Sequence, residues 1–114
     1  MATGHTTVNG VVTYTGLVTS EAGEAIQLSR LGGLMGCVQA LDGGGTGFNA
    51  GVLTIQHSND GVNWTTMSDT AGTAITFTDG DEGEIKEFST AARFARPLND
   101  GTVGDVDVLF SFRS

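Results

Sequence analysis

Apolar residues along this chain come in short runs or alternate with polar ones, and almost no segment repeats with helical period. The alternation is cleanest at the C-terminal end. Val106, Val108, Phe110 and Phe112 fall on one face, while Asp105, Asp107, Ser111 and Arg113 fall on the other, with Leu109 the exception. A period of two marks a strand with one buried and one wet face, and its strength predicts a place inside a sheet rather than a frayed tail. The same reading predicts strands over Val8–Thr19 with a bend at Gly16, and over Glu24–Leu31 with Ile26 and Leu28 on one face. Leu34–Leu41, Gly51–Ser58 and Asn63–Met67 follow, then Ala74–Thr78 with Ile75 and Phe77 in phase. Glu84–Thr90 carries Ile85 and Phe88 out of phase, which suggests a bulge, and Ala92–Leu98 either continues it or stands alone. Glycine-rich connections separate these segments. Strands at this spacing predict an all-β, antiparallel β-sandwich, jelly-roll-like, of about eight strands.

The hairpin signal is strongest at Asn59-Asp60-Gly61, between Gly51–Ser58 and a returning strand that opens with the only tryptophan, Trp64. Asp-Gly between strand-like runs predicts a tight turn in which Gly61 takes positive φ. Residues 1–7 are polar and lack a strand pattern. They read as an N-terminal arm ahead of a single domain over residues 8–114, and they do not have the character of a secretory signal.

Composition narrows the partners. The 114 residues suit one domain. Thirteen acidic residues against five basic ones give a net charge of −8, which disfavours nucleic acid and anionic membranes and favours solubility. No window approaches the ~18 apolar residues of a membrane span. Cys37 is the only cysteine. It cannot form an intrachain disulfide, and its apolar neighbours Met35 and Val38 predict a buried, inert thiol.

Candidate chemistry is sparse. Asp79, Asp81, Glu82 and Glu84 form an acidic turn whose spacing matches no calcium loop, so it reads as a solvated turn. His57, Ser58 and Asp60 contain the residue types of a triad, but adjacent strand residues point to opposite faces. Gly43-Gly44-Gly45-Thr46-Gly47 lacks the Lys-Ser/Thr ending and the following helix of a phosphate loop. Trp64 reads as a cap beside its own hairpin, with sugar stacking as the alternative. Arg93 and Arg96 read as ion-pair partners of carboxylates or as stacking on Trp64, the alternative being an intersubunit contact. No catalytic residue, cofactor site or metal site is expected.

The run Ile55-Gln56-His57-Ser58-Asn59-Asp60-Gly61-Val62-Asn63-Trp64 resembles the strand–S-x-D-G-x-x-W–strand element of discoidin-like, galactose-binding-type jelly rolls. Ala92-Arg93-Phe94-Ala95-Arg96 is similar to their later A-R-Y-V-R strand. The chain is shorter than those domains and lacks their framing cysteine pair, so the resemblance implies the sandwich and does not carry over the sugar site. The same hairpin resembles one found in small virion proteins of tailed bacteriophages, including head-decoration (cement) proteins. That likeness implies a non-enzymatic structural protein on the capsid exterior. Its partner would be the major capsid protein, and it would form a homo-oligomer and contact neither nucleic acid nor membrane. Ala2, Thr3, His5, Thr6 and Thr7 of the arm would make capsid or subunit contacts, while Asp60, Gly61, Trp64, Arg93 and Arg96 would hold the hairpin. The alternative is a carbohydrate-binding module of a phage fibre or tail.

Overall fold

The chain folds as one long hairpin rolled on itself. The computed structural model describes residues 4–17, 22–28, 35–42, 52–78, 81, 83–100 and 106–113. Among them run ten strands: β1 Thr6–Val8, β2 Val11–Leu17, β3 Ile26–Gln27, β4 Met35–Asp42, β5 Val52–Ser58, β6 Thr65–Thr66, β7 Thr76–Phe77, β8 Ile85–Ser89, β9 Phe94–Asp100 and β10 Val106–Arg113. Early strands pair with late ones in antiparallel nesting: β2 with β10, β3 with β9, β4 with β8, and β5 with β6 and β7. Cross-pairings β10–β4 and β9–β5 then close two sheets, ordered β1-β2-β10-β4-β8 and β3-β9-β5-β6, with β7 also on β5. This nesting is the jelly roll, and it shows the predicted antiparallel sandwich.

The core lies between the sheets. Tyr14, Leu17, Val38, Leu53, Ile55, Ile75, Phe77, Phe88, Val106, Val108 and Phe110 are fully buried or nearly so. Phe110 packs edge-on against Tyr14 and Phe88. β10 occupies the middle of its sheet, flanked by β2 and β4, as its alternation predicts. The Tyr14 hydroxyl donates to the Glu24 carbonyl, and burial pushes the phenol far above its ordinary range. The single proline is Pro97. It lies on β9 where its carbonyl faces Gly23 and accepts that residue's N–H at 2.8 Å.

Four sequence expectations change. The arm does not run to residue 7: Thr6, Thr7 and Val8 form β1 against Thr13, Val12 and Val11. The turn between β1 and β2 is Asn9-Gly10, with φ of 54° and 80°, the two-residue hairpin geometry that Asn-Gly favours. Val8 therefore belongs to a different strand from Val11. The bend at Gly16 is present: Gly16 has φ 68°, the β2–β10 register shifts beside it, and the Asp107 carboxylate accepts the Gly16 N–H at 2.9 Å. No bulge appears in β8, whose register with β4 is unbroken. Ile85 is out of phase with Phe88 because it faces outward, 60% exposed. Finally, β8 and β9 do not continue one another; they lie in opposite sheets.

Candidate functional site

The most constructed local feature is the loop joining β5 to β6. It is wider than a tight Asp-Gly turn, since the last pair is His57 with Thr65. The Asp60 carboxylate organises it. Its Oδ1 accepts the N–H groups of Val62 and Asn63, both at 2.8 Å, and the Ser58 hydroxyl at 3.0 Å. Its Oδ2 accepts the Asn63 side-chain amide at 2.7 Å. The Ser58 Oγ in turn accepts the N–H groups of Asp60 and Gly61. These donors, the Asn63 N–H foremost, hold the Asp60 carboxyl well below the usual carboxylate range. Gly61 has φ 75°, as predicted.

Trp64 closes the loop. Its indole N–H donates to the Gly61 carbonyl at 3.2 Å. The Arg96 guanidinium lies over the ring at 4.1 Å from the centroid and donates through Nε to the Gln56 side chain at 2.8 Å. The motif thus ties Ser58, Asp60, Gly61 and Trp64 to the neighbouring strand β9, and its polar atoms are spent on one another. Arg93 contributes its backbone: its N–H donates to the Ser58 carbonyl and its carbonyl accepts the Leu28 N–H.

A shallow cleft of about 580 Å³ lies beside this loop, lined by His57, Asn63, Thr65, Thr90 and their neighbours. His57 and Ser58 do not act together there. The His57 Nδ1 pairs with the Thr90 hydroxyl at 2.8 Å, and burial lowers the imidazole's pKa. In the acidic turn Asp81 acts as a cap: its Oδ2 accepts both the N–H and the hydroxyl of Thr78, and its carbonyl accepts the Glu84 N–H at 3.1 Å. Asp79, Glu82 and the 43–47 glycine run lie outside the described residues. Among the described residues no group of three or more His, Cys, Asp or Glu is arranged to hold a metal ion, and no helix is long and apolar enough to cross a membrane.

Of the arm residues, Ala2 and Thr3 lie outside the described positions. His5 packs its ring on Tyr14 at 5.1 Å between centroids, with Nδ1 3.7 Å from the Glu24 carboxylate. Thr6 and Thr7 are exposed on the edge strand β1.

No protein-family model and no curated protein matches the sequence. A solved structure does match the fold. The crystal structure of SPBc2 prophage-derived protein YomS superposes with a TM-score of 0.66 over 96% of this chain and 97% of that one, at 12% identity. The two share a fold over nearly their full lengths.

The sequence reading missed one surface. On the β1-β2-β10-β4-β8 sheet, alternation turns Val8, Val11, Leu109, Met35, Cys37, Leu41 and Ile85 outward. Among described residues, the large apolar side chains left exposed are Val8, Met35, Leu41 and Ile85 on this face, and Val62 in the hairpin loop. On the opposite sheet the outward positions carry Arg96, Gln56 and Phe94, with Phe94 lying beneath Gly61 and Trp64 lying under the Arg96 guanidinium.

Proposed function

We propose that this chain is a structural virion protein of a bacteriophage, a decoration protein that binds the outside of the capsid and works by contact rather than by chemistry. The observation that carries the reading is the end-to-end fold match to a prophage-derived protein. The state of the hairpin supports it. Ser58, Asp60 and His57, the side chains best suited to catalysis by type, are each committed to a structural partner. Trp64 gives one ring face to Arg96, which leaves one face fewer for stacking a sugar. A protein bridging two shell subunits adds its own interfaces to the cost of separating them.

The test is co-sedimentation of the purified protein with mature shells of the phage that encodes it, beside unexpanded precursor shells. Saturable binding to mature shells, with a raised shell melting temperature, is the expected result. Absence of binding to either shell would overturn the reading.

A further inference from the structure

We infer that the outer face of the β1-β2-β10-β4-β8 sheet is where copies of this chain meet one another. The register lays apolar and mostly uncharged side chains across it in rows. One row runs Val8, Val11, Ser111, Cys37 and Glu87, and the next runs Thr6, Thr13, Leu109, Gln39 and Ile85. Met35 and Leu41 flank these rows on β4. Exposed apolar side chains gathered on one sheet face, here Val8, Met35, Leu41 and Ile85, are the kind of surface that proteins use for association.

Charge selects the occupant. The chain carries −8, so two copies repel unless they meet where acids are scarce. Among the described outward side chains of this face, only Glu87 and Asp107 are acidic, and Asp107 is already bound to the Gly16 N–H. A basic partner would gain nothing from so neutral a patch and would be drawn to the acidic loops instead. A second copy meets its own least-charged face, the self-complementary arrangement of an isologous pair.

Size is compatible. The five strands together hold 31 residues, which at ~3.3 Å rise and ~4.8 Å strand spacing cover roughly 490 Å². Before side-chain relief is added, that is more than half of the ~800 Å² each partner gives to a standard interface. The β8 margin is closed to edge pairing, because Thr70 donates its N–H to the Glu87 carbonyl and Asp69 bridges Phe88. Association through the face is the arrangement left on that side.

Sedimentation equilibrium of the full chain at ~100 μM, far above the Kd of a specific pair, tests this. Wild type should run at a multiple of the 11.7 kDa chain mass. Met35→Glu/Ile85→Glu should run at the single-chain mass with an unchanged far-UV spectrum, and Val62→Glu, on the hairpin loop, should keep the wild-type mass. A monomeric wild type, or a multiple that survives the double variant, would overturn the inference. A monomeric wild type whose capsid binding is abolished by the double variant would assign the face to the shell instead, which also overturns it.

Discussion

The two outer faces of this sandwich are finished differently. One sheet is dressed by its own chain. The 58–64 loop folds down through Asp60, places Gly61 over Phe94, and lays Trp64 under the Arg96 guanidinium. Among the described residues the other sheet has no such cover and is bare, with Met35 57%, Ile85 60% and Val8 65% exposed. Both enclose the same core, so core packing does not account for the difference. The described residues close one face with hydrogen bonds and leave apolar side chains exposed on the other, the contrast on which the proposed self-association rests. Asp60, Asp69 and Asp81 each accept backbone N–H groups in a turn, so part of the negative charge is turn chemistry.

Substitutions can break this comparison at three depths. The largest effect belongs to the shared core. Phe110→Ala should cost about 3–5 kcal/mol, because Phe110 is fully buried against Tyr14 and Phe88. An unchanged denaturant midpoint would mean that the assigned inner face is not inner. Next is the closed face. Gly61→Val should cost about 1–3 kcal/mol. Its Cβ has room, so the cost comes from placing a β-branched residue at φ 75°. Equal stability by urea titration would show that the loop readily adopts another path. Smallest is the bare face, where Ile85→Glu in dilute protein should stay within about 0.5 kcal/mol of wild type. A large loss there would reveal Ile85 as core.

Acid titration sharpens the contrast. The Asp60 carboxyl is held below its ordinary value of 3.8 in the folded chain. The stabilisation it gives is therefore complete above that value and is lost as pH falls below it. The melting temperature of Asp60→Asn should lie below that of wild type near neutrality, and the gap should narrow as the pH drops from about 4 to about 2. A gap constant over that range would detach the carboxylate from the loop's stability.

Much of this was legible in the sequence. The alternation of β10 gave both its faces and its central place, and Asp60-Gly61 gave the positive φ. The resemblance of Ser58–Trp64 to a jelly-roll hairpin pointed to the topology. Asn9-Gly10 was equally readable, since it is a hairpin dipeptide between two valines, but the surrounding Val and Thr residues read as one continuous strand. The bare face was hidden for a physical reason. In Met35–Leu41 both the inward Val38 and Ala40 and the outward Met35, Cys37 and Leu41 are apolar, so the run looks like a strand buried on both sides. Only its pairing with β10 and β8 shows which half meets a neighbouring sheet.

The contrast between the faces can be measured with thiols. Cys37 is half-buried on the bare face rather than buried as its apolar neighbours suggest, and a Cys37→Ser/Thr66→Cys variant moves the single thiol to an exposed position on the opposite sheet. Maleimide labelling rates should be compared across a range of protein concentrations. The account predicts that labelling at Cys37 slows several-fold as concentration rises, while labelling at position 66 stays flat. Equal behaviour of the two thiols, or slowing at position 66 alone, would contradict it.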